Sequence, residues 1–186
     1  VERKYEFRNR LNEVHKPNRR QQTLQPKTGE TAINGSWSIV ISETASPLLI
    51  NVAKDLQDYF FTSMNESLLL RKTEDIAAAA SEERVIVLAT KDDLPAIGQQ
   101  LTIPRSYRLL VSQERIVICG QEDRGAGQGS YYLEDLMNLR EAPYVGQQNV
   151  TRKPLFQPRM IHSGWGLDQY PDAHLNALAH TGIDAI

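Results

Sequence analysis

The sequence predicts an α/β protein: a small α+β-type domain with a mixed sheet and helices on one side, followed by the first βα unit of a second, parallel fold. Three observations carry this. Apolar runs of strand length alternate with stretches whose apolar residues recur at helical spacing. Two strands, Tyr107 to Val111 and Ile116 to Cys119, flank the polar turn Ser112-Gln113-Glu114-Arg115, and such a hairpin excludes an all-parallel sheet. After Pro158 the pattern restarts. Arg159-Met160-Ile161-His162 reads as a short strand, a loop runs through Asp168, a helix spans about Asp172 to His180, and Gly182 to Ile186 is an apolar strand with no turn after it. The chain is therefore expected to hold one whole small domain and the opening of a larger one. The expected boundaries are a polar leader or linker over 1–35, an α/β domain over 36–150, and the start of the second fold over 151–186.

Each element has a local reason. Trp37-Ser38-Ile39-Val40-Ile41 is β-branched and flanked by turn residues. Ser46-Pro47 supplies an N-cap and a proline at the first helical position. Leu49, Val52, Ala53, Leu56, Tyr59, Phe60 and Met64 then follow at helical spacing. Ser67 to Arg71 reads as a strand, and Ala77 to Ala80 with Glu82-Glu83 as a surface connection. Arg84 to Ala89 is the clearest buried strand. Asp92 or Asp93 caps a short helix through Ile97 and Leu101. Gly125-Ala126-Gly127-Gln128-Gly129 turns into a helix carrying Tyr132, Leu133, Leu136, Met137 and Leu139. Pro143, Pro154 and Pro158 punctuate the link to the second fold.

Composition excludes several function classes. A net charge of −2, with 24% charged and 40% hydrophobic residues, gives no excess suited to nucleic acid or an anionic membrane. No run has the length of a membrane span. Residues 1–30 carry eight Lys or Arg against four Glu, which reads as a solvated leader. Cys119 is the single cysteine, so no intrachain disulfide and no cysteine metal cluster can form, and its apolar run marks it as a small buried hydrophobe. His174 and His180 stand six apart, outside the close spacing of a helical metal pair, and His15 is distant in sequence, so neither metal nor cofactor is expected. The alternating Gly125, Gly127 and Gly129 miss the G-x-G-x-x-G spacing of dinucleotide sites and enter from a hairpin arm. Close helix–sheet packing is the better reading. Asn65-Glu66-Ser67 and Asn149-Val150-Thr151 are sequons that matter only in a eukaryotic secretory setting.

The order of elements from Arg84 to Leu139 has a further implication. Its valine-rich strand, capped short helix, hairpin and R-G-x-x-x-G turn at Arg124 to Gly129 lead into Tyr131-Tyr132-Leu133-Glu134-Asp135-Leu136. This resembles the non-catalytic N-terminal α/β domain that precedes the catalytic barrel of beta-hexosaminidases and alpha-glucuronidases. The resemblance covers about Ser36 to Ile186. It includes the proline-rich link Lys153-Pro154-Leu155-Phe156-Gln157-Pro158 into an arginine-bearing strand. It implies a glycoside hydrolase whose (β/α)8 barrel begins near Pro158, with paired catalytic carboxylates on strands beyond Ile186. No catalytic residue is therefore assigned within the chain.

Barrel sites form at the C-terminal ends of strands and in the loops that follow. That rule points to His162, Trp165 and Asp168 as substrate-binding candidates, with Trp165 as an apolar platform and the polar groups on hydroxyls. Arg159 joins them through the resemblance, since a first-strand arginine there can hold the terminal sugar. For His162 a satisfied core histidine is the better reading. The implied partners are a carbohydrate substrate, reached through the full-length protein, and the remainder of the same chain, in an extracellular or periplasmic setting. The competing expectation is a freestanding, non-catalytic α/β binding module in which Gly182 to Ile186 completes its own sheet.

Overall fold

The computed structural model describes residues 13–162 and 170–186. They fall into two compact units, Pro17–Pro154 and a smaller one joining residues up to Lys16 with Leu155–Ile186. In the larger unit the order is β1 (Glu30–Ala32), β2 (Ser38–Ser42), α1 (Pro47–Met64), β3 (Leu69–Thr73), α2 (Ile76–Ala79), β4 (Val85–Thr90), α3 (Pro95–Gly98), β5 (Tyr107–Val111), β6 (Arg115–Gly120), α4 (Asp123–Arg140), β7 (Tyr144–Gly146) and β8 (Gln148–Arg152). The main sheet has six strands in the order β3-β2-β4-β6-β5-β8. The first four are parallel, and β5 runs antiparallel to both of its neighbours. The hairpin thus makes the sheet mixed, as the turn at Ser112 to Arg115 implies.

Register places apolar residues of similar size side by side. Ile39 pairs with Ile86, Ile86 with Ile116 and Leu88 with Ile118, and these rows face α1 and α4 in the larger core. The intervening residues Val40, Val87, Val117 and Cys119 face the other way into a second core. Strand β4 is buried on both faces, because it lies inside the parallel region. Both faces therefore need cover. The two long helices share one side, and the short helices α2 and α3 bring Ile76, Ala79, Leu94 and Ile97 to the other. Burying one such aliphatic side chain fully stabilises by about 1.5–3 kcal/mol.

Helix α1 begins as its sequence dictates. Ser46 is extended, its Oγ accepts from the Leu49 amide at 3.1 Å, and Pro47 opens the first turn. Asn65 ends it in the left-handed conformation, φ 55°. Other elements depart from expectation. Ala77 to Ala79 lie in a helix rather than a surface connection, because Asp75 caps the Ala78 amide at 2.8 Å and Ile76 anchors the segment in the second core. Asp93 does not cap α3; its carboxylate accepts from the Thr90 amide and hydroxyl instead, closing the loop after β4. Helix α4 starts at Asp123, so the glycines lie inside it, not in a turn before it.

Residues 17–35, expected as a leader, lie in the larger unit from Pro17 onward. The Asn18 and Arg20 amides donate to the Thr62 and Ser63 carbonyls at the end of α1, and the Gln21 amide donates to the Glu141 carbonyl at the end of α4. Arg20 also reaches the Met64 carbonyl at 3.3 Å and the Glu66 carboxylate at 2.5 Å. Arg140 donates to Glu30 at 2.7 Å and to the Gln25 carbonyl at 2.9 Å. Strand β1 then pairs antiparallel with β7. A polar segment is thereby held as a strap across the C-terminal ends of both long helices, by satisfying carbonyls that a helix end leaves open.

Candidate functional site

In the smaller unit, helix α5 (Asp172–His180) matches the expected bounds. Met160 and Ala185, on either side of it in sequence, form a single isolated parallel bridge. Around that bridge the Ile161 amide donates to the Ala185 carbonyl at 3.1 Å, and the Asp184 amide donates to the Arg159 carbonyl at 2.7 Å. Gly182 permits the return after α5. Its φ is +78°, its amide donates to the Ala179 carbonyl, and the next amide donates to Leu178.

Arg159 sits half-buried at this bridge. Its amide donates to Asp184 Oδ2 at 2.8 Å, and its guanidinium lies across Gly182, in the space a Cβ there would take. His162 is exposed two residues beyond Met160. Trp165 and Asp168 lie outside the described residues. The structure therefore places Arg159 and His162 on either side of the isolated bridge residue Met160 and adds an acid the sequence reading passed over. Asp184 is the only polar residue in Gly182 to Ile186 apart from the glycine, and that break in an apolar run is the signal that marks it. His15, distant in sequence, meets His180 edge-on with ring centroids 5.5 Å apart, and Tyr170 stacks on His174.

The other candidates resolve as structure. Cys119 is fully buried, and burial, reinforced by the charge of Asp93, pushes its thiol up to about 12, so it is no nucleophile at neutral pH. The glycines of α4 bring the helix onto its neighbours. A Cβ on Gly127 would approach Val52 at 3.2 Å, and one on Gly129 would meet Ile118 at 2.5 Å. Close packing of the helix on its neighbours accounts for the missing side chains at both positions. Tyr59 is buried between the long helices, its hydroxyl donating to the Glu134 carbonyl at 3.1 Å, and burial raises its pKa.

Comparison with solved structures gives the six-stranded sheet and its helices a context. Over 74% of its length the chain superposes on a family GH20 beta-N-acetylhexosaminidase from Streptomyces coelicolor A3(2), with a TM-score of 0.55 and 16% identity. Over 82% it superposes on CpGH84D, with a TM-score of 0.55 and 12% identity. Over 69% it superposes on BtGH115A, a family GH115 4-O-methyl-alpha-glucuronidase with specificity for decorated arabinogalactans, with a TM-score of 0.51 and 13% identity. The fold is one found in glycoside hydrolases. The chain spans only about a quarter or less of those chains, 26%, 26% and 19% respectively. No protein-family model matches it, and no curated protein matches it. Among the described residues, no helix is long and apolar enough to cross a membrane.

Proposed function

We propose that this chain is the N-terminal portion of a carbohydrate-active glycoside hydrolase of the beta-hexosaminidase or alpha-glucuronidase type. The observation that carries this reading is the fold shared with chains of that class over more than two thirds of the present chain. The parallel bridge between Met160 and Ala185 across α5 is consistent with a barrel opening near Pro158. In this reading Pro17–Pro154 supports the barrel, the paired carboxylates lie beyond Ile186, and Arg159, His162, Trp165 and Asp168 contribute to the sugar site at the first barrel strand. An extracellular or periplasmic setting belongs to the same proposal.

The role of each residue follows from its chemistry. A guanidinium offers donors to sugar hydroxyls, and an indole offers an apolar face. The test is an activity screen of the full-length protein on aryl glycosides and uronic-acid oligosaccharides, beside the 186-residue chain. Turnover by the longer protein alone is expected, because glycoside hydrolysis needs two flanking carboxyl groups that are not assigned here. Turnover by the 186-residue chain, surviving controls for contaminating enzyme, overturns the assignment of catalysis to later strands. A stop codon directly after Ile186 overturns the enzyme reading in favour of a binding module.

A further inference from the structure

The side of α1 turned away from the core carries Lys54, Gln57, Asp58 and Phe61, spaced so that they fall on one stripe of the helix. Asn65 then reverses the chain in the left-handed conformation, and the Glu66 amide closes the turn on the Phe60 carbonyl at 2.9 Å. Ser67 and Leu68 are thereby laid alongside the stripe. Among the described residues, these two and the four of the stripe line a cleft of about 480 Å³. That volume lies within the roughly 300–1,000 Å³ of small-ligand sites.

Phe61 is the wall the fold does not explain. It is 65% exposed and belongs to neither core. A lone apolar side chain on an open surface is ordinary. Here the ring flanks a concavity whose other walls are polar, except for the buried Leu68. Gln57 Nε2 donates to the Leu68 carbonyl at 2.8 Å, just ahead of the edge strand β3. That bond fixes which end of the amide is which and leaves Oε1 to accept from a ligand. Asp58 accepts from the Thr62 hydroxyl at 3.4 Å, and a carboxylate has further lone pairs to offer. Among the described residues, no carboxylate forms an ion pair with Lys54. Glu66 is engaged elsewhere, by Arg20 and the Gly35 amide. One cation and one anion therefore line the cleft, and their formal charges cancel.

We propose that this cleft binds a neutral pyranose unit of a β-linked glycan, one whose equatorial hydroxyls leave an apolar face of axial C–H groups. That face lies on the Phe61 ring, Lys54 and Ser67 donate to sugar oxygens, and Gln57 and Asp58 accept from hydroxyls. The choice of a sugar rests on the reading of the protein as carbohydrate-active; the choice of a neutral one rests on the balance of Lys54 and Asp58. Because the cleft lies in Pro17–Pro154, it holds a glycan without cutting it.

The experiment is binding, without turnover, of cellotetraose and of chitotetraose to the 186-residue chain. At least one should bind, and Phe61→Ala should weaken it about tenfold or more, a loss of about 1.4 kcal/mol. The melting temperature should stay unchanged, since the ring is outside the core. Phe61→Tyr keeps the flat ring and should retain affinity, and Gln57→Leu should weaken binding by removing the fixed acceptor. Absence of binding by both tetrasaccharides overturns the cleft, as does affinity that Phe61→Ala leaves unchanged. Equal affinity for cyclohexanol, which has no ring of hydroxyls, overturns it in favour of a simple apolar patch. Turnover by the longer protein with no binding here removes the cleft and leaves the glycoside hydrolase reading intact. Binding here with a failed activity screen leaves the cleft standing without the enzyme.

Discussion

At the scale of single residues, Gly129 shows how one missing carbon sets the distance between two elements. Added to the helix there, a Cβ would lie 2.5 Å from Ile118 Cγ2 and 3.1 Å from the Tyr107 ring, and Ile118 is fully buried with nowhere to go. Overpacking of this kind costs about 1–3 kcal/mol. Gly129→Ala should therefore lower the melting temperature clearly, whereas Gly146→Ala, whose added carbon meets nothing within 4 Å, should stay within about 0.5 kcal/mol of the parent. Denaturant melts of the pair check this, and equal stability would contradict the packing. The sequence marked these glycines by their alternation, and close packing was legible from it. Their place inside the helix was not, because glycine's low helix propensity argues for a turn and tertiary contact overrides it. Arg159 entered the sequence reading only through the family resemblance, as an arginine just ahead of the bridge residue Met160. Its neighbour Asp184 is separated from it by 25 residues, and no local pattern links the two.

Elements with a strong local signal were legible, and those held by distant contacts were not. Helix α1 announces itself through Ser46, Pro47 and seven apolar residues at helical spacing, all of which lie in the first core. Ser46→Ala should remove the bond to the Leu49 amide and cost about 1 kcal/mol, with Ser46→Asp restoring most of it. An unchanged urea midpoint in the alanine variant would refute the cap. By contrast β1 and β7 are three residues each, too short to show a period, and they form only because they find one another 114 residues apart. Strand β8 reads Gln-Asn-Val-Thr-Arg because it lies at the sheet edge, where polar and charged side chains discourage pairing with another chain. Helix α2 is four residues long, and its alanines carry no pattern of their own; its position is fixed by Ile76 in the second core.

For the molecule as a whole, acid should loosen the contact between the strap and the end of α4. The Arg140 guanidinium, hydrogen-bonded to Glu30, holds that carboxyl below its usual range, with help from the Lys27 amide and against the opposing effect of burial. A carboxyl whose folded pKa is depressed stabilises fully above its unfolded value, about 4.3, and that contribution disappears as pH falls through the lower folded value. Glu30→Gln should therefore destabilise the protein at neutral pH and flatten the acid limb of its stability profile. Parallel profiles for parent and variant below pH 5 would exclude the linkage.

The strap also decides where this molecule can be cut. By hydrophobic pattern the domain opens at Ser36, and a shortened version would naturally begin there. Such a truncation would remove the hydrogen bonds to Thr62, Ser63 and Glu141, the ion pairs of Glu66 and Arg140, and the strand that β7 pairs with. It would leave those carbonyls and strand edges to the solvent. Anyone fusing a reporter or trimming the chain for crystallisation should join ahead of Pro17, and should expect versions starting at Ser36 to express poorly and to associate through the bared edge of β7.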